Sequence, residues 1–394
     1  MRILFIDNSP GMGGSVHHLA HQIMQVRKRG FEAFLIASKP HLFEDLIPDD
    51  VPCRSLAWPG FADVFKSAGA LYKPVLPGIF NKPFSMAAYN RLKSAMAPEF
   101  GGILRSFTPD IVHINNFNLP NKVFGDVAKN KRIPVLLAAL MIRLFSKKEA
   151  DFAVQSDLVV CISEAVAECI GKFPEMDKSK LRVLESPIDA SLYEVKRDPK
   201  IREDLGIPHD ARLVLSLGRL TPWKGHDVLV RALGLLPKNI WLLQAGGEDD
   251  DWRGQIDGIV SECGLGDRVV YAGIRRDVPA LLAASDIMVH SSKYAYPKVG
   301  VVEAFGRVVA EGMAAGLPVV ATDAGGPAEI LRDTGAGLLV PPGDRRAMAK
   351  AIAYYLENPE AARQAGEKGR RAVKEKYAGE PLGEKLMKIY GELR

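Results

Sequence analysis

Short apolar runs alternate with stretches of helical periodicity along most of the chain. That is the pattern of a parallel sheet whose strands are covered by helices. Arg2–Ile6 reads as a first strand, a glycine-rich turn follows, and a helix is predicted from Ser15 to Arg29. Glu32–Ser38, Ile111–Ile114, Val135–Leu140, Leu158–Ile162 and Ser179–Val183 are the next strand candidates. After Pro187 the pattern turns polar and charged (Tyr193-Glu-Val-Lys-Arg-Asp-Pro-Lys), which places a domain boundary there. The alternation then restarts, with strands predicted at Arg212–Leu217, Trp241–Ala245, Val269–Ala272, Ile287–His290, Val319–Thr322 and Gly337–Val340. The expectation is an α/β protein of two doubly wound parallel-sheet domains, residues 1–188 and 189–378. A terminal amphipathic helix within 379–394 is expected to pack back on the first domain.

Residues 55–100 do not fit the alternation. They mix aromatics (Trp58, Phe61, Phe65, Tyr72, Phe80, Phe84, Tyr89) with Lys66, Lys73, Lys82, Arg91, Lys93 and several prolines. A loop-and-helix excursion over a ligand cleft is expected there, and its basic and aromatic residues suit peripheral contact with an anionic membrane. The competing reading is a flap packed on its own domain.

Composition narrows the function. At 394 residues the chain is long enough for two domains, with 47% apolar and 25% charged residues, the balance of a globular protein. Cys53, Cys161, Cys169 and Cys263 form no CxxC pair and no metal-ligand spacing, which reads as a reduced, cytoplasmic chain. The apolar start, Met1–Ile6, is too short for a secretory signal and is closed by Asp7. A net charge of +5 suits an anionic small molecule or a membrane surface and does not by itself point to nucleic acid.

The first glycine-rich turn, Asn8-Ser-Pro-Gly11-Met-Gly13-Gly14-Ser15, follows a strand and opens a helix, so unpaired backbone N–H groups face an anion. It is not a dinucleotide fingerprint, because Val16 stands where a third glycine is needed and the second strand ends without an acid. No GxxxxGK[ST] loop is present. Phosphate or sugar contact and a plain tight turn both remain open.

Two later clusters carry more chemistry. In Val302-Glu303-Ala-Phe305-Gly306-Arg307-Val308-Val-Ala-Glu311, Gly306 lets backbone approach a ligand, and a helix is predicted over Arg307–Ala315. The amides and partial positive charge at its start can hold a diphosphate, while Glu303 and Glu311 can address different hydroxyls of one extended ligand. Ser216-Leu-Gly218-Arg219-Leu-Thr-Pro-Trp-Lys224-Gly225-His226 follows the first strand of the second domain. Arg219 supplies a fork of donors and Lys224 a point charge, both suited to phosphoryl oxygens.

These residues resemble a family, the retaining glycosyltransferases of GT-B fold, family four (glycosyl transferases group 1). The resemblance rests on Glu-x7-Glu at Glu303 and Glu311, Gly-Arg…Lys-Gly at Arg219 and Lys224, and Gly13-Gly14. It also rests on Asp110-Ile-Val-His113, Ser285-Asp286-Ile with Ser291-Ser292, and Gly325-Gly326-Pro-Ala-Glu329. It implies two Rossmann-like domains facing each other across a cleft, the second holding a nucleoside-diphosphate sugar, a UDP- or GDP-sugar. By the same resemblance, Arg219 and Lys224 clamp the leaving diphosphate, Glu303 positions the transferred sugar, Glu311 holds the ribose, and Gly14 approaches the diphosphate. Gly13, Arg275, Phe305, Gly306, Arg307 and Val308 complete the expected donor set. Configuration is expected to be retained, with no metal and no cofactor. The acceptor is expected to be a glycan, a lipid-linked glycan or a small molecule, in polysaccharide or envelope biosynthesis, at the cytoplasmic membrane face.

Many relatives carry a cleft histidine where this chain has Asn115, so both Asn115 and His113 are candidate catalytic residues, with a structural histidine as the alternative for His113. His17, His18 and His290 read as packing or loop residues. Two other functions stay open: a sugar-phosphate or sucrose-type glycosyl-transfer enzyme of the same fold, and a catalytically silent nucleotide-sugar-binding scaffold.

Overall fold

The computed structural model describes residues 1–9, 13–56, 86–116, 119–142, 145, 147–248, 250–293 and 302–394. The chain divides into two compact units, Met1–Pro187 with Gly379–Arg394, and Ile188–Ala378. Each is a wholly parallel sheet flanked by helices.

In the first unit, the strands are β1 (Arg2–Asp7), β2 (Glu32–Ala37), β3 (Cys53–Arg54), β4 (Ile111–Asn115), β5 (Val135–Ala139), β6 (Leu158–Cys161) and β7 (Leu181–Val183). They lie in the order β3-β2-β1-β4-β5-β6-β7. Every residue of β4, β5 and β6 is buried, which is why these strands read as continuous apolar runs instead of alternating ones. The direction of winding reverses between β1 and β4, where Asp7 and Asn115 are register partners at the carboxyl ends of the strands. Crevices of this kind are where open α/β sheets bind ligands.

The terminal helix, Gly379–Gly391, closes this unit. Leu382, Leu386, Ile389 and Tyr390 enter the same core as Ile3, Phe5, Leu19 and Ile23. Lys28 and Arg29, at the end of the helix Gly14–Lys28, both pair with Glu380.

The 55–100 expectation is corrected in part. Residues 57–85, and with them Trp58, Phe61, Phe65, Lys66, Tyr72, Lys73, Phe80, Lys82 and Phe84, lie outside the described residues. From Met86 to Phe107 the chain is an ordinary helix of the alternation. Tyr89, Leu92, Met96, Phe100, Ile103 and Leu104 are buried, and the Phe100 ring meets Phe124 edge-on with centroids 4.7 Å apart. Tyr89 donates its hydroxyl to the Asp126 carboxylate. Their spacing marks one apolar helix face, so Tyr89 is a core residue and not part of an exposed aromatic surface. Arg91, by contrast, is exposed.

In the second unit, β8 (Arg212–Leu217), β9 (Ile240–Ala245), β10 (Val269–Tyr271), β11 (Ile287–His290), β12 (Val319–Thr322) and β13 (Gly337–Val340) lie in the order β10-β9-β8-β11-β12-β13. This is the nucleotide-binding order, with its reversal between β8 and β11. The core beneath it joins Val214, Leu229, Leu233, Leu242, Ile287, Val320 and Ile352. Residues of both glutamate and phosphate clusters sit just beyond the carboxyl ends of β8 and β11, or on the helix Arg307–Ala314.

Candidate functional site

The loop after β8 forms by backbone constraint. Gly218 has φ 141°, and the Lys224 side chain runs against it, so that a Cβ at 218 would stand 3.6 Å from Lys224 Cε. Pro222–Lys224 makes a single tight turn, and Gly225 leaves it with φ 69°. A Cβ at Gly225 would fall 2.0 Å from the Ser291 carbonyl oxygen, so only glycine fits. The Ser291 hydroxyl donates to the Lys224 carbonyl at 2.9 Å, and Lys293 N donates to the Trp223 carbonyl at 3.0 Å. The β8 loop is thereby stitched to the end of β11.

Lys224 Nζ donates to Glu303 Oε2 at 2.5 Å and lies 4.4 Å from the centroid of the Trp223 ring. His290 Nε2 stands 3.7 Å from the same carboxylate oxygen. Burial alone would raise the Glu303 pKa, but the Lys224 ammonium and the His290 ring outweigh it and hold the carboxyl well below the usual range. A carboxylate fixed in the ionised state accepts hydrogen bonds and donates none, as the hydroxyls of a sugar require. Arg219 is exposed, and its carbonyl accepts a 3.1 Å hydrogen bond from His226 Nε2. The loop after β8 therefore presents a lysine paired with a carboxylate, and an exposed arginine earlier in the same loop.

Glu303 and Phe305 sit in a loop pressed onto the next helix. Gly326 N donates to the Glu303 carbonyl at 3.0 Å, and a Cβ at Gly325 would lie 2.1 Å from that oxygen. Phe305 is buried, its ring 5.9 Å from that of Tyr377. Gly306 caps the helix Arg307–Ala314 in the left-handed region at φ 80°, and a Cβ there would meet Pro327 Cγ at 2.5 Å. The helix carries no side-chain cap, and its N-terminus opens directly from Gly306.

Glu311, inside that helix, is buried and pairs with Arg307 Nε at 2.9 Å. Burial pushes its pKa up, against the lowering pull of Arg307 and the Tyr193 hydroxyl. Arg275 spends its guanidinium on Asp277, the residue before the helix Val278–Ala284, at 2.7 Å and 2.5 Å. Beside it Ile274 is 82% exposed, packed over Gly247 near Arg219 Cγ, an apolar face suited to a flat ring.

In the first unit, Gly13 and Gly14 open the helix Gly14–Lys28 with no side-chain cap. Gly11 lies outside the described residues. Asn115 is buried at the end of β4 and donates Nδ2 to Asp7 Oδ1 at 2.6 Å. Asp7 is buried too and accepts from Ser9 N and Ser9 Oγ, both at 2.9 Å. Burial raises its pKa against these hydrogen bonds. His113 is corrected from catalytic candidate to core residue: it is fully buried, with Nδ1 2.7 Å from the Tyr390 hydroxyl and its ring 5.3 Å from Phe5. Burial first, and His18 second, push its pKa down to about 3, so the ring stays neutral and out of reach of a substrate.

Sequence reasoning gave Asp7, Tyr193, His226 and Ser292 no site role of their own, and set His290 aside as a packing or loop residue. His290 is only 3% exposed, yet it faces Glu303. A buried acid closing a strand just before a glycine-rich turn is the signal that could have found Asp7. Among the described residues no cluster of three or more metal-ligating side chains occurs, and no helix is long and apolar enough to cross a membrane.

Two parallel sheets of nucleotide-binding order, one carrying an arginine, a lysine and paired glutamates at its carboxyl end, define a GT-B protein of two Rossmann-like domains. Residues 197–372 match the family described as glycosyl transferases group 1.

The chain is 30% identical over 235 residues to the lipopolysaccharide core biosynthesis glycosyltransferase LpsE of Rhizobium meliloti (strain 1021), covering 59% of this chain and 64% of that one. It is 27% identical over 335 residues to D-inositol 3-phosphate glycosyltransferase of Mycolicibacterium smegmatis, covering 77% of this chain and 75% of the other. In fold it is similar to Alr3699/HepE of Anabaena, solved in complex with UDP, at TM-score 0.81 and 23% identity over the whole of both chains. The same Anabaena protein has been solved with UDP-glucose.

Proposed function

We propose that the chain is a retaining glycosyltransferase that moves a sugar from a nucleoside-diphosphate sugar to a hydroxyl of a glycan, lipid-linked or small-molecule acceptor. The observation that carries this reading is the Lys224–Glu303 contact of 2.5 Å at the carboxyl end of the second sheet, with Arg219 exposed in the same loop as Lys224. A silent binding module has no need of cations placed for a leaving group next to a carboxylate placed for a sugar.

In this reading Arg219, Lys224 and the amides after Gly306 take the diphosphate, and Arg307 and Val308 lie along it. Phe305 shapes the loop. Glu303 accepts hydrogen bonds from the transferred sugar, Glu311 holds the ribose, and Arg275 lies beside the base on the Ile274 side. Gly13 and Gly14 contribute backbone N–H groups to phosphate. The C1–oxygen bond to the diphosphate breaks as the acceptor oxygen bonds C1 on the same face, and the acceptor proton passes to the departing phosphate oxygen. Charge growing on that phosphate is met by cations already in place, which is where the rate gain arises. The chemistry needs neither a metal nor a cofactor. Asn115, held by Asp7, is assigned to the acceptor.

The lipopolysaccharide core relative supports an envelope acceptor, and the D-inositol 3-phosphate relative supports a small phosphorylated one. Work at the cytoplasmic membrane face is proposed from the basic residues of 55–100 in the sequence.

A thermal-shift panel of UDP- and GDP-sugars, run with and without EDTA, tests the reading, because a ligand that binds the folded state alone raises its melting temperature. One donor should raise it equally in both buffers and release nucleoside diphosphate on incubation. No shift with any donor, or a shift lost in EDTA and restored by magnesium, overturns it.

A further inference from the structure

The Glu303 carboxylate is gripped unevenly. Lys224 Nζ at 2.5 Å and His290 Nε2 at 3.7 Å converge on one oxygen, Oε2. The hydrogen bonds and ion pairs of the described residues reach no further than that oxygen, so Oε1 is left for a ligand hydroxyl.

His290 is itself fixed from behind. It ends β11, and the Thr322 hydroxyl donates to the Ser292 carbonyl at 2.5 Å, which sets the Ser292 hydroxyl 3.1 Å from His290 Nε2. An ionised carboxylate so near selects the tautomer with the proton on Nε2, since a lone pair there would face negative charge. That single N–H then points toward two acceptors, Ser292 Oγ and Glu303 Oε2. The other charged and titratable groups acting on the ring are Lys224 and His226. Burial first, and Lys224 after it, lower the His290 pKa, so the ring acts as a neutral donor.

This inference rests on the donor-binding reading above. If a diphosphate draws Lys224 Nζ to itself, Glu303 loses its nearest cation while remaining largely buried, and a buried carboxylate without a partner is costly. We propose that His290 is a positioning residue for Glu303: its Nε2–H keeps hold of Oε2 when Lys224 turns to the diphosphate, so that Oε1 stays aimed at the sugar. The 3.7 Å separation is then the ligand-free spacing, and it closes to hydrogen-bond length on donor binding.

The test joins spectroscopy with kinetics. Nitrogen-15 spectra of the histidine rings, with His290 assigned by its loss in H290Q, should show the Nε2–H tautomer in the ligand-free protein. The His290 signals should move on adding UDP in the wild type and not in E303Q. An Nδ1–H tautomer overturns the proposal whatever the enzyme does.

In kinetics with the donor found by the panel, H290L should lower kcat by about 10-fold, the scale of a lost positioning contact, with UDP affinity within about 2-fold of the wild type. H290Q, whose amide can still donate, should recover most of that loss. In an E303Q background, H290L should have no further effect. If E303Q turns over at the wild-type rate, the assignment of Glu303 to the sugar is wrong. If E303Q is impaired while folded H290L is fully active, or H290Q is as poor as H290L, only the role of His290 is refuted.

Discussion

Lys224 and Glu303, on separate loops of the second sheet, share a 2.5 Å contact in which the lysine also lies over the Trp223 ring. Each partner therefore depends on the other, and the two truncations should differ. Lys224→Ala strands a largely buried carboxylate and removes a leaving-group cation. It should cut turnover by about 100-fold or more, as loss of a charge-stabilising donor does, and also lower the melting temperature. Lys224→Ala with Glu303→Ala should regain the melting temperature and none of the turnover. Calorimetric scanning and donor turnover check this together, and wild-type turnover in Lys224→Ala would refute the clamp.

Glu311 and Glu303 should divide the donor between them. Glu311 is buried beside Arg307 and Tyr193, and the ribose contact proposed for it is the same in the ground and transition states. Glu311→Ala should mainly weaken nucleoside diphosphate binding, by about 10-fold or more, with kcat less affected. Glu303→Ala should spare that affinity and lower kcat. Titration calorimetry with UDP or GDP showing equal losses would undo the division.

Much of this was legible in the sequence, for a physical reason. Strands such as β1 and β8 are buried on both faces and announce themselves as apolar runs, and glycines at 225 and 306 mark turns that admit no other residue. What was hidden depends on pairings distant in sequence. Asp7 acquires its meaning only from Asn115, which lies 108 residues away. His290 looks like the end of a strand until Glu303 folds back against it, and no spacing rule connects the two. His113 fails as a catalytic candidate because Tyr390 of the terminal helix covers it. The helix Met86–Phe107 was not read as part of the alternation because Pro98, Lys93, Arg91 and Arg105 mask an apolar face.

The backbone turns make a prediction independent of any ligand. Gly225→Ala must place a methyl 2.0 Å from the Ser291 carbonyl oxygen while holding φ near 69°. Backbone cannot yield there without parting the β8 loop from the end of β11, so the cost should exceed the ~1–3 kcal/mol of a strained residue alone. Gly13→Ala meets no atom within 4 Å and has φ 178°, extended backbone that alanine also adopts. It should leave stability within about 0.5 kcal/mol, the ordinary range for surface changes. Urea unfolding of the two variants checks the contrast. Equal stabilities would mean that the two loops are not stitched as described.

Acid should destabilise each unit through a buried histidine. His113 in the first unit has its pKa pushed down to about 3, by burial and then by His18. His226 in the second is pushed down to about 4, by burial before all else, against the opposing Arg219 carbonyl and with Lys224 and His290 adding to the drop. An unfolded histidine titrates near 6.5. Between that value and the folded one, the unfolded chain binds a proton that the folded chain refuses, so stability falls as pH falls. The neutral-ring contribution is whole above about pH 6.5. It is lost toward about pH 4 for His226 and about pH 3 for His113, with a limiting slope of about 1.4 kcal/mol per pH unit for each ring. Urea midpoints measured from pH 7.5 to 5 should decline on the acid side. His113→Gln and His226→Gln keep a side-chain amide for Tyr390 and for the Arg219 carbonyl, yet carry no titrating ring. Each should flatten the decline of its own unit by close to one proton, and if the two units unfold separately, each effect should appear in only one transition. A slope unchanged in both variants would mean that these rings are protonated inside the fold, contrary to their burial.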